Sequence, residues 1–106
     1  MNGVFHVSEA PVAAMPQLDG RLLGDKDALL TALGAALHFP DYYGANWDAL
    51  EECLSDLSWH DGPLSVLITH ADSLPADLRA TLEDIFTEVA QQWAEEGRSF
   101  ALYLVG

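Results

Sequence analysis

Two short apolar runs near the end of the chain constrain the fold most. Residues 64–69 (LSVLIT) and 100–105 (FALYLV) are nearly unbroken hydrophobic stretches of strand length. Strands that are apolar without alternation are buried on both faces, as in parallel sheets covered by helices. Between them Leu78, Leu82, Ile85, Phe86, Val89 and Trp93 recur at helical spacing. Pro75 stands at a tolerated first-turn position and Gly97 just past the last apolar residue, which predicts one long helix. A strand, a helix and a strand in that order imply parallel pairing through a right-handed crossover.

The first half of the chain extends the pattern. Residues 13–18 read as a weak strand, with Pro16 arguing for an edge position or a bulge. Asp19-Gly20 closes a turn, and residues 4–7 could form a further short strand. Asp25 or Asp27 can cap a helix over residues 26–38, whose apolar face carries Leu29, Leu30, Leu33 and Leu37. Phe39-Pro40 stops it, because the residue before proline avoids the helical region. Asn46 is a good cap for a second helix, with Trp47, Leu50, Leu54 and Leu57 as its apolar stripe. A short connector, one helical turn at most, spans residues 70–74. The expected architecture is α/β: a three-stranded parallel sheet with helices packed on it. It is one domain over residues 13–106, preceded by an extension of unknown role at residues 1–12.

Composition narrows the function. Of 106 residues, 17 are acidic and 4 are Lys or Arg, for a net charge of −13. Phosphate-backbone binding needs clustered cations, so nucleic acid and anionic membranes are excluded as partners, and a basic protein suits this field. One cysteine, Cys53, rules out an intrachain disulfide. Its place beside the apolar stripe reads as a buried structural thiol. No apolar run approaches the length of a membrane span, and residues 1–12 lack the basic start of a secretory signal, so the cytoplasm is expected. His6, His38, His60 and His70 show no ligand spacing, and no phosphate loop or nucleophile motif occurs, so neither a metal site, a cofactor nor an enzyme activity is expected.

Residues 39–57 (FPDYYGANWDALEECLSDL) are not explained by packing alone. Asp48, Glu51, Glu52, Ser55 and Asp56 project away from the apolar stripe of the second helix. Like charges three or four apart repel by a few tenths of a kcal/mol each. No Lys or Arg occurs between Lys26 and Arg79, whereas nine acids do. A solvated face is one reading. A negative surface that docks on a cationic groove is the other, and Tyr42 and Tyr43, on a short loop with Gly44, favour it, since tyrosine beside charge is interface composition. One of the two tyrosines is expected to be core.

The stretch PDYYGANWDALEECL, residues 40–54, resembles the signature of the barstar family, intracellular protein inhibitors of small secreted barnase-type ribonucleases. The similarity runs over about residues 13–105. It implies a three-stranded parallel sheet with helices, and an inhibitor whose second helix and preceding loop enter the nuclease cleft, with carboxylates standing in for RNA phosphates. Carried over by position, Tyr42 matches a tyrosine that packs on the enzyme's catalytic histidine. Gly44, Asn46 and Asp48 fall at or beside the interface, and Glu52 on the dominant carboxylate. Ser55 matches a hydroxyl-bearing contact and Glu88 a second interface carboxylate. Glu52 stands where aspartate is usual, and Glu51 and Leu57 each replace a tryptophan. These departures imply a cognate enzyme with a differently shaped or more basic cleft, such as a nuclease toxin, bound one to one, with Glu51 in a supporting role. An acidic interaction module with a partner other than a nuclease is the alternative.

Overall fold

In the computed structural model, residues 2–9, 15–39, 43–56 and 63–106 are described. Four strands, β1 (Gly3–Val7), β2 (Gln17–Asp19), β3 (Leu64–Thr69) and β4 (Phe100–Val105), form one sheet in the order β1-β4-β3-β2. Every neighbouring pair is parallel. Three α-helices, α1 (Lys26–Ala36), α2 (Trp47–Asp56) and α3 (Ala76–Glu95), complete the α/β fold. None of the helices among the described residues is long and apolar enough to cross a membrane.

The sheet has one strand more than the three expected. Residues 3–7 pair with β4 from Gly3↔Ala101 to Val7↔Val105. The added strand lies within the stretch expected as an N-terminal extension. Residues 4–7 could be read as a strand from their sequence, but the pairing partner is the last strand, nearly the whole chain away, so nothing local placed it in the sheet.

The central strands explain their continuous apolar character. Leu64, Val66 and Ile68 of β3 and Phe100, Leu102 and Leu104 of β4 join a core with Leu29, Leu30, Leu33, Leu50, Leu54, Leu82, Phe86, Val89 and Trp93. That face of the sheet is therefore the helix-covered one. Leu67 and Ala101 point to the other face by strand alternation and are also buried.

Helix ends follow local chemistry. Asp25 caps α1, its carboxylate accepting from Ala28 N–H at 2.8 Å. Helix α1 stops two residues before the expected end. The Phe39 N–H donates to the Gly34 carbonyl and the His38 N–H to the Ala35 carbonyl, with His38 left-handed at φ 56°. This pair of bonds satisfies the last carbonyls of α1 before the chain reaches Pro40. At the end of α3, Gly97 takes φ 73°, the conformation for which glycine is suited.

Candidate functional site

Helix α2 and the residues before it form the site. The Asn46 side-chain oxygen accepts from Ala49 N–H at 2.8 Å, and its carbonyl from Leu50 N–H at 2.9 Å, as the capping pattern predicts. Just before the cap, the left-handed residue is Ala45 at φ 50°, not Gly44. Leu50, Cys53 and Leu54 are buried, and Trp47 is half-buried against the core.

Two aromatic residues hold this helix from outside it. Trp93 of α3 is fully buried, and its indole N–H donates to the Leu54 carbonyl at 3.0 Å. That carbonyl is one of the last four of α2, which have no partner within their own helix. Tyr43, ahead of the cap, donates its hydroxyl to the Leu30 carbonyl of α1 at 2.9 Å and meets Phe39 edge to face at 4.8 Å. Tyr43 packs against the core. Tyr42 lies outside the described residues, as do Leu57, Trp59 and His60.

Gly34 is where α1 lets the Tyr43 ring approach. A Cβ there would lie 2.6 Å from Tyr43 Cε2 and 2.8 Å from Cδ2. The ring is fixed at its hydroxyl and its edge, so it cannot swing aside freely. We expect Gly34→Ala to lower stability by about 1–3 kcal/mol through overpacking, against alanine's helix preference of roughly 1 kcal/mol. A urea unfolding midpoint at or above wild type would show that the ring is not held this way.

Burial, and secondarily Cys53, raises the Tyr43 phenol to about 12 from its ordinary 10. The folded state therefore disfavours the phenolate. This contribution to stability is present below pH 10 and is lost as pH rises through about 12. Tyr43→Phe is expected to flatten that alkaline limb in pH-dependent denaturation, and an unchanged limb would contradict the assignment. The Cys53 thiol is also raised, by burial first and then by the negative charges of Glu52 and Asp56. Buried and held as a neutral thiol, it is a packing residue.

The outer face of α2 is acidic and open to solvent. Asp48, Glu51, Glu52, Ser55 and Asp56 line an open depression of about 640 Å³. Asp48, Glu52 and Asp56 are exposed, and Glu51 and Ser55 half-buried. Among the described residues, none of the four carboxylates is paired with a cation. Only Asp48 lies in the first turn, where the helix dipole favours it, and Asp56 lies at the opposed end. The arrangement stores mutual repulsion that an incoming cationic surface relieves.

The structure brings Asp48, Glu51, Glu52 and Ser55 together on one surface. Asp56 joins them, although the resemblance carried no role onto it. Gly44 and Asn46 are exposed beside the helix start but do not line the depression. Glu88 is exposed on α3 and also lies outside it. It is five residues from Glu83, which faces β1 through His6, so helical rotation turns it about 140° away from that edge. Among the described residues, no group of His, Cys, Asp and Glu has the arrangement of a metal site.

Residues 13–105 match the family Barstar (barnase inhibitor). The chain belongs to the barstar family. It is also similar to a curated protein of Bacillus subtilis (strain 168) named "Putative ribonuclease inhibitor YrdF", with 37% identity over 79 residues. That similarity covers 74% of this chain and 84% of the relative. The family match begins after β1, so the fourth strand lies outside it.

Proposed function

We propose that this protein inhibits a small basic ribonuclease by seating the acidic face of α2 in the enzyme's phosphate-binding cleft. The observation that carries the reading is the depression of carboxylates on α2, unpaired among the described residues, in a barstar-family chain. A cleft built for RNA phosphates presents cations at phosphate spacing. Asp48, Glu51, Glu52 and Asp56 offer carboxylates in their place, and charge-assisted hydrogen bonds to Arg and Lys are the strong kind. Glu52 is the central carboxylate, flanked by Asp48 and Ser55. Tyr42, Gly44 and Asn46 extend the surface along the preceding loop, and Glu88 adds a contact from α3. The complex is one to one, forms in the cytoplasm, needs no cofactor and works by blockage, with no chemistry performed on a substrate.

Glu51 shapes the specificity. In the resemblance its position belongs to a tryptophan, and here it brings a half-buried negative charge into the depression. A partner with an additional cation facing α2 fits better than one with a flat apolar rim. The same residue is what favours the second reading, an acidic module whose basic partner is not a nuclease.

The test is titration of the purified protein into RNA-cleavage assays of small barnase-type ribonucleases and of any small ribonuclease encoded beside its gene. Stoichiometric loss of cleavage is expected with the cognate enzyme. Absence of inhibition across that panel, with capture of a basic non-nuclease protein, would favour the second reading. Attraction between a −13 chain and a cationic enzyme should steer association. We expect the association rate to fall by about tenfold or more as salt shortens the screening length from ~30 Å to ~3 Å, with a smaller change in dissociation. A salt-independent association rate in stopped-flow mixing would rule out steering.

A further inference from the structure

Strand β1, like β2 at the opposite edge of the sheet, contributes no fully buried side chain, and it is the longer of the two edge strands. The buried hydrophobic residues run from Leu23 to Leu104, and none of them belongs to β1. Four of its five residues are half-buried and His6 is exposed. It lies at an edge of the sheet, so only one of its sides is hydrogen-bonded to a neighbour. Its side chains add Val4 against the core and Phe5 stacked on Tyr103 at 5.6 Å. Three further bonds tie its surroundings to α3 and the loop beyond. Asn2 Nδ2 donates to the Ala90 carbonyl at 3.0 Å and to the Arg98 carbonyl at 2.8 Å. His6 Nε2 lies 2.6 Å from Glu83 Oε1, with the His6 side chain 62% exposed.

The fully buried core therefore draws no residue from β1, whereas the edge of β4 depends on it for pairing. If β1 leaves, five residues of β4, Ala101 to Val105, lose their pairing partners along an apolar strand. An unpaired apolar edge is a template for another strand. Local openings of weakly buried edge elements cost less than global unfolding.

We propose that β1 is a detachable edge cap, and that the β4 edge beneath it accepts the β1 strand of a second copy, giving a strand-exchanged dimer. The second copy's β1 is the occupant that fits by construction, because it repeats the Gly3↔Ala101 to Val7↔Val105 register. Residues 2–8 carry no acid, so the exchanged strand adds no negative charge to the groove. The rest of the chain opposes the approach of a second copy through its net charge of −13. Exchange is therefore promoted by salt and protein concentration, and the monomer is the dominant form in dilute, low-salt solution. This inference is independent of the inhibitor reading.

Hydrogen exchange on the intact chain tests detachment. The β1 amides are expected to exchange at least about a hundredfold faster than those of β3. His6→Ala, an exposed change that leaves the core untouched, is expected to speed β1 exchange about two- to fivefold without altering β3. Sedimentation of the intact chain at millimolar concentration, in salt high enough to screen its charge, tests the acceptor edge. A dimer should appear, and an excess of the peptide of residues 2–9 should suppress it. Exchange of β1 as slow as β3 would overturn detachment. A strictly monomeric chain, or a dimer indifferent to the peptide, would overturn the acceptor edge.

Discussion

Replacing Glu52 by alanine is expected to weaken binding to the cognate ribonuclease by about 2–5 kcal/mol, roughly thirtyfold to several thousandfold in Kd. The size follows from what is left behind. In the proposed complex Glu52 faces cations that have given up water to enter the interface. Truncation removes their counter-charge without restoring that water. The same change should not destabilise the free protein. Glu52 is exposed and unpaired among the described residues, and it repels Asp48 and Asp56 one helical turn to either side. Its removal relieves those repulsions, so free stability should be unchanged or higher by a few tenths of a kcal/mol. Opposite signs for binding and stability separate a recognition role from a structural one. Calorimetric or kinetic affinities beside urea melts of both proteins measure this directly. Equal affinity for wild type and Glu52→Ala would remove Glu52 from the centre of the interface. Glu52→Gln, which keeps the shape, should recover little of the loss if charge dominates.

Trp93→Ala is expected to cost about 3–5 kcal/mol of folding stability, the range for deleting a large buried aromatic side chain. Three losses combine at this position. The ring is fully buried and packs on Phe100 at 4.9 Å. Arg98 lies over the ring at 3.9 Å, a cation–π contact. The indole N–H also satisfies the Leu54 carbonyl, which would be left without this partner. For a chain of this size the loss corresponds to a fall in Tm on the order of 15 °C or more. Trp93→Phe keeps most of the packing and removes the N–H, so it should cost less, about 1–3 kcal/mol. A loss under about 1 kcal/mol for Trp93→Ala in chemical denaturation would mean that α2 is not pinned from α3. Because that bond holds the end of the helix carrying Glu52 and Ser55, the Phe variant should also weaken inhibition slightly while leaving the acidic face itself intact.

The helices and central strands were legible because their signals are local and periodic. The stripes of α2 and α3, the Asp25 and Asn46 caps, and the apolar runs of β3 and β4 each lie within a few residues of sequence. The acidic face of α2 was legible for the same reason, since helical spacing alone gathers Asp48, Glu51, Glu52, Ser55 and Asp56. The end of α1 was less so. Proline is a strong textual stop, but the chain closes its hydrogen bonds earlier, with His38 in the left-handed region where glycine is the commoner choice. The turn before α2 likewise uses Ala45, whose side chain gives no sign of a left-handed position.

The α/β class, the family, the alternation of helix and strand, and a net charge of −13 could be told from the residues alone. These depend on spacing, composition and a contiguous motif, all of which are readable along the chain. What needed the packed molecule was the pairing of residues 3–7 with β4, the bond from Trp93 of α3 to the Leu54 carbonyl of α2, and the seating of the Tyr43 ring under α1 at Gly34. Each of these is a contact between segments far apart in sequence or between helices whose mutual placement no single segment encodes. Their energies come from burial and from hydrogen bonds that exist only once the layers have packed.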